Sequence, residues 1–110
     1  MAAGTHTGLV ERSTILERSR AEPARRFAAL ADPARLEIVT LLRDQPRCVC
    51  ELRDDLGMAS NLLSYHLRVL REAGFVHGER RGRRIEYRLE PDALERITSD
   101  VAELAGQGPR

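Results

Sequence analysis

Residues 59–75 read ASNLLSYHLRVLREAGF. Taken as a helix, they place Leu63, Leu67 and Leu70 at i, i+4 and i+7, with Leu62, Val69 and Ala73 widening the stripe. That spacing builds an apolar face to bury. The opposite face carries Asn61, Ser64, Tyr65, Arg68 and Glu72, with Ser60 at its start. Their hydroxyl, amide, phenol and guanidinium groups can hydrogen-bond base edges and phosphates in a major groove. His66 falls on the buried stripe, where packing or hydrogen bonding is a histidine's ordinary use. Gly74 stops the helix, and Phe75-Val76 opens a different period. In isolation the stretch is an amphipathic surface helix. Its flanks give it a role.

Upstream, Cys48 to Leu56 reads as a short helix with Val49, Leu52 and Leu56 inward and Glu51, Asp54 and Asp55 outward. Gly57-Met58 makes a tight turn into the longer helix. A short helix, a turn with glycine and a longer helix with a polar outer face form a helix-turn-helix. Downstream, residues 77–90 read HGERRGRRIEYRLE, in which Ile85, Tyr87 and Leu89 alternate with Arg84, Glu86 and Arg88. That alternation is a half-buried strand. With a shorter strand around Val76 to Arg80 it predicts a β-hairpin whose tip bears Arg80, Arg81, Arg83 and Arg84. A hairpin directly after such a helix is a wing, and four arginines at its tip suit phosphate or minor-groove contact.

Farther out, Asp32-Pro33 starts a helix, with an N-cap carboxylate and proline at the first helical position. Leu36, Ile38, Val39, Leu41 and Leu42 make that helix apolar over much of its circumference. It is therefore expected to be the buried central helix, ended by Asp44-Gln45-Pro46. A first helical region spans Glu11 to Leu30, interrupted by Pro23, with Ile15, Leu16, Phe27 and Leu30 as its apolar residues. The last helix, Pro91 to Ala105, carries Leu94, Ile97, Val101 and Leu104 in a narrow seam like that of a coiled coil. Such a seam docks on its own domain or pairs with a second copy, and pairing is expected. The reading is mainly α with a small β-hairpin: one winged helix-turn-helix domain over 11–105, a flexible tail at 1–10 and a second tail at 106–110.

The charge supports a one-sided interface. Net charge is only +1, but residues 60–89 hold seven arginines against three glutamates, +4, so the remainder sums to −3. A basic segment on an otherwise acidic chain binds phosphate through one surface. No apolar run reaches the length of a membrane span, and the first residues lack a signal-peptide pattern, so a cytoplasmic location with no membrane partner is expected. No Gly-rich phosphate loop, nucleophile elbow or acid–base pair points to an enzyme.

The two cysteines, Cys48 and Cys50, are separated by one residue. In a cytoplasmic chain that spacing is a poor case for a structural disulfide and a fair one for metal or redox chemistry. Arg47, Arg53 and the helix N-terminus favour the thiolate, which is what a soft ion needs. In a regular helix such residues point about 200° apart, so both sulfurs can grip one atom only if the first turn is distorted or not helical. Binding would then compete with the helix that supports the recognition helix.

The segments ALADPARLEIVTLL, RCVCELRDDLGM, NLLSYHLRVLREAGFV and RRGRRIEYRL together resemble the ArsR/SmtB family of metal- and metalloid-sensing repressors, over residues 24–104. The resemblance implies a homodimeric winged helix, paired through its first and last helices, that represses at an operator with an inverted repeat in double-stranded DNA until an inducer binds. It also implies that Cys48 and Cys50 are the metal ligands of an arsenic-type site, with As(III) as inducer and no organic cofactor. The chain departs from the family pattern in having Arg53 where arsenic repressors of the CVCDLC type carry a third cysteine. It has no cysteine in residues 1–30, as cadmium and lead sensors do, and no histidine on the last helix, as zinc and nickel sensors do. Ala59 stands where many members place a capping serine. Sensing of arsenite or antimonite is the leading reading, beside cadmium or lead. Oxidation of the same pair, which would close a strained small ring, and inert buried cysteines stay open. His77, in the wing, and His6, in the tail, are weak candidates for ligation.

Overall fold

The computed structural model describes residues 2–107; Met1, residues 108–110 and the side chains of residues 2–13 (His6 among them) and of Ile15 lie outside what it describes. Among the described residues five helices and three short strands follow in the order α1 (Ala2–Leu30), α2 (Pro33–Asp44), β1 (Arg47–Cys48), α3 (Val49–Leu56), α4 (Ser60–Glu72), β2 (Val76–Arg81), β3 (Arg84–Leu89) and α5 (Ala93–Leu104). The winged helix-turn-helix is present as expected. Three boundaries differ from the sequence reading. The backbone of α1 is helical from Ala2 and runs through Pro23, which forfeits one backbone hydrogen bond without ending the helix. Cys48 belongs to a strand rather than a helix. The sheet has three strands, ordered β1-β3-β2.

The core collects one stripe from each element. Ile38, Val39 and Leu42 of α2, Leu52 of α3, Leu63, Leu67 and Leu70 of α4, Phe75, Val76 and Tyr87 are buried together with Ala29, Ala73 and Ala93. Asp32 caps α2 as its sequence promises, accepting the amides of Ala34 at 2.8 Å and Arg35 at 3.2 Å. Burial works to raise the Asp32 carboxyl, but those two amides and the nearby Arg35 hold it below its ordinary value. Two expected core leucines face solvent instead, Leu36 of α2 and Leu62 of α4. Leu62 lies one residue, about 100°, off the line through Leu63, Leu67 and Leu70, just past the edge of the buried stripe.

The turns that set up the site are chemically explicit. Gly57, with φ of 62°, closes α3 in the left-handed region and donates its amide to the Arg53 carbonyl at 2.9 Å. The wing strands β2 and β3 pair antiparallel from Val76 opposite Leu89 to Arg81 opposite Arg84, leaving Gly82 (φ 63°) and Arg83 as the turn. Across that hairpin the Tyr87 ring lies over Gly78, where a Cβ would stand 3.1 Å from the ring. Tyr87 is buried, while Ile85, nearer the tip, is exposed. The expected half-buried strand is thus buried only at its base.

Candidate nucleic-acid interface and thiol site

The face of α4 opposite its leucines is open. Asn61, Ser64, Tyr65, Arg68 and Glu72 are all exposed. The Arg68 guanidinium stands 5.8 Å from the centre of the Tyr65 ring, close enough to hold the two side chains together. Ser60, the first residue of α4, accepts a hydrogen bond from Arg53 Nη1 at 3.1 Å, which ties α3 to the start of α4. Ala59 is the N-cap residue and contributes no side-chain cap. The helix is held from below by a contact whose partners lie far apart in sequence. His66, buried within α4, meets Arg35 Nη1 at 2.9 Å through its Nδ1. A guanidinium can only donate, so His66 Nδ1 is the acceptor and the ring proton sits on Nε2. Arg35 also donates from Nε to the Ala29 carbonyl at 2.7 Å, joining the end of α1, the first turn of α2 and the middle of α4.

The wing arginines fall into two groups. Arg81 is engaged inside the hairpin, 3.2 Å from Glu79 and 3.7 Å from Glu86. Among the described residues Arg80, Arg83 and Arg84 make no ion pair, so their charge is available to a partner. Glu79 sits under the hairpin as a hub. A hydrogen bond from His77, then the charges of Arg88 and Arg81, hold its carboxyl below the usual range. His77 meets Glu90 at 2.7 Å and Glu79 at 3.0 Å through its two ring nitrogens. Among the described residues its hydrogen-bond partners are Glu79 in β2 and Glu90 just after β3.

The cysteines lie where β1 becomes α3. Cys48 is extended (φ −74°, ψ 161°) and pairs with Glu86 of the wing strand, while Cys50 is the second residue of the helix. The two sulfurs are joined as a disulfide. This corrects the expectation that the spacing disfavours one. The opposed directions expected within a regular helix do not apply, because Cys48 precedes the helix and its side chain swings over the first turn. Cys48 Sγ also caps α3. It accepts the Glu51 amide at 3.3 Å, and Glu51 Oε1 accepts the Cys48 amide at 2.9 Å, a reciprocal capping box with sulfur in place of a hydroxyl. Sequence reading missed this because cysteine is outside the usual N-cap set.

The donor set suits a soft ion of low coordination number. Reduced, two sulfurs can converge on one atom. Glu51, the nearest carboxylate in sequence, is engaged in the cap, and among the described residues no group of three or more His, Cys, Asp or Glu side chains could hold a metal. Among the described residues a tetrahedral zinc site therefore lacks ligands. Cys48, Val49, Cys50, Arg53, the exposed face of α4 and Arg83, Arg84 and Ile85 of the wing line one groove of about 760 Å³. The thiol pair and the basic surface thus share a single opening.

At the other end of the molecule α1 and α5 are clasped by Arg26, which donates from Nε and Nη2 to the two carboxylate oxygens of Asp100 at 2.6 and 3.0 Å. The Arg26 hydrogen bond and its charge hold the Asp100 carboxyl below its ordinary value. Of the expected dimer residues, Leu94, Val101 and Leu104 are exposed, the last two at 53% and 74%. Ile97 is the exception. It is partly buried and packs on the chain's own core.

Helices, wing and arginine-lined groove define a winged helix-turn-helix domain. Residues 32–77 match the family described as "Bacterial regulatory protein, arsR family". The chain belongs to that family. It is 47% identical over 79 residues to the HTH-type transcriptional repressor SmtB of Mycobacterium tuberculosis, covering 72% of this chain and 58% of that one. It is 40% identical over 70 residues to the arsenical resistance operon repressor of Escherichia coli, covering 63% of this chain and 60% of the relative. Among solved structures, the homodimeric winged helix-turn-helix DNA-binding domain Mb0332 of Mycobacterium bovis superposes with a TM-score of 0.66 at 29% identity, covering 87% of this chain and 85% of that fragment. The chain spans just under three-fifths of the length of the first curated relatives it matches. Among the described residues no helix is long and apolar enough to cross a membrane.

Proposed function

We propose that this chain is a homodimeric, cytoplasmic transcriptional repressor that binds an inverted repeat in double-stranded DNA and releases it when a thiophilic metalloid, arsenite or antimonite, occupies Cys48 and Cys50. The observation that carries the reading is the shared groove: the sulfurs open onto the same cleft as the polar face of α4 and Arg83 and Arg84 of the wing. Asn61, Ser64, Tyr65 and Arg68 read base edges. Arg80, Arg83 and Arg84 hold phosphates. Leu94, Val101 and Leu104, exposed on one chain, find cover in a second copy, which sets two α4 helices roughly 34–36 Å apart on successive major grooves. The names of the relatives, an HTH-type transcriptional repressor and an arsenical resistance operon repressor, accord with this.

Induction follows from the cap. An ion held by both thiolates occupies the Cys48 sulfur that accepts the Glu51 amide, so binding competes with the first turn of α3. That helix carries Arg53 and its bond to Ser60, so loosening it loosens the start of α4. A third position on the ion would be filled by hydroxide or a small thiol.

Fluorescence anisotropy on the DNA upstream of the chain's own gene tests this. Reduced wild-type protein should bind and be released by arsenite. The Cys48→Ser, Cys50→Ser variant should bind within a few-fold of wild type and ignore arsenite. Normal release of that variant by arsenite would remove the thiols from the mechanism. The joined sulfurs favour a second reading, in which oxidation of the pair changes DNA affinity. Comparing reduced and oxidised protein without added metal separates the two.

A further inference from the structure

The same groove suggests what reacts with the joined pair. Two features of it are independent. Its sulfurs differ in access: Cys48 is 4% exposed, whereas Cys50 is partly exposed. Its walls are cationic: Arg53, Arg68 and Arg71 come from the helices, Arg83 and Arg84 from the wing, and no acidic side chain lines it. We propose that the groove is a docking site for small anionic thiols, which attack Cys50 and remain there as a mixed disulfide.

The step balances without an outside oxidant. The incoming thiolate sulfur attacks Cys50 Sγ, the Cys48–Cys50 bond breaks, and its electron pair leaves on Cys48 Sγ. One disulfide is exchanged for another, and the proton lost by the incoming thiol goes to solvent. Cys48 is the better leaving group because its sulfur sits at the N-terminus of α3 and already accepts the Glu51 amide at 3.3 Å. Attack in the other direction meets a buried sulfur. The carboxylate of the bound thiol lies among arginines that would otherwise face phosphate, so the adduct and DNA compete for one surface. The inference deepens the oxidative reading above, since it uses the joined pair, but does not rest on DNA release; the two can fail separately.

The test uses the oxidised full chain at low salt, with mercaptopropionate, mercaptoethanol and cysteamine as anionic, neutral and cationic probes at equal thiolate concentration. Adduct formation is followed by intact mass, and the modified residue is located by peptide mapping. Steering by a cationic cleft predicts that mercaptopropionate reacts at least about tenfold faster than cysteamine, that the adduct is on Cys50, and that added salt erases the preference. The Arg83→Gln, Arg84→Gln variant, altered at exposed side chains without ion pairs in the chain, should lose most of the discrimination while keeping its circular dichroism spectrum. Equal rates for the three thiols, an adduct on Cys48, or a preference unchanged in that variant would each overturn the proposal.

Discussion

Asp100 shows how much one side chain can decide. It sits on α5, and its two oxygens take the Arg26 guanidinium of α1 in a bidentate, largely buried pair. Its carboxyl titrates below the ordinary aspartate range because that hydrogen bond and charge favour the ionised form. A depressed folded-state value means that the stabilisation is fully present above the unfolded value and lost as pH falls through the folded one. We expect Asp100→Asn to cost about 1.5–3 kcal/mol near neutral pH, the range for hydrogen bonds to charged groups. The gap from wild type should close as pH drops below about 4. Thermal melts of both proteins across that range check the sign: a gap that widens on acidification contradicts the pair's role. None of this was legible in the sequence, where positions 26 and 100 are 74 residues apart and each looks like a solvated helix charge. The same holds for Arg35 and His66. The apolar spacing of α4 correctly put His66 inside, but nothing in the spacing names its partner.

At the level of elements, the helices and the hairpin were legible because burial imposes a period on each, and the period survives in Leu63, Leu67 and Leu70 and at the base of the wing in Tyr87 and Leu89. What failed to show has equally physical reasons. β1 is two residues long, too short for any alternation, and exists because β3 offers an open edge. Pro23 looked like a break in α1, yet a helix of that length tolerates one missing hydrogen bond. The wing tip illustrates the cost of reading charge without geometry. Four arginines appear equivalent in the sequence, but Arg81 is held by Glu79 and Glu86 while Arg83 and Arg84 are not. Arg83→Ala and Arg84→Ala should therefore each weaken DNA binding and lower the salt slope by about 0.9, with specific and random DNA affected alike. Arg81→Ala should do so less. Titrations at several salt concentrations check it, and a larger loss for Arg81→Ala would mean that the hairpin pairs open on DNA.

For the whole molecule, the question is what covers α5. A coiled-coil-like seam was expected to place Leu94, Ile97, Val101 and Leu104 against a partner. The single chain divides them, with Ile97 on its own core and Val101 and Leu104 in solvent. Leu104 also borders a cleft of about 180 Å³ with Pro23 and Phe27 of α1. Pairing through both helices would fill that cleft. Val101→Glu with Leu104→Glu should yield folded monomers by sedimentation, since burying unpaired charges opposes association, and should lose specific DNA binding. Ile97→Asp should instead lower the melting temperature. A Val101, Leu104 double variant that still sediments as a dimer would put the interface elsewhere.

The short strand β1 has one more consequence, for solubility. Among the described residues it is the strand that pairs with the outer edge of β3, Arg47 with Tyr87 and Cys48 with Glu86. Whatever pulls Cys48 out of that pairing leaves a row of unsatisfied amides and carbonyls along the middle strand of the wing, the kind of edge on which chains zip together. Arg84, Glu86 and Arg88 along that strand put charge on the edge and so discourage such stacking. The charges of the wing thus have a second use, as guards against self-association at the moment the cysteine turn comes loose.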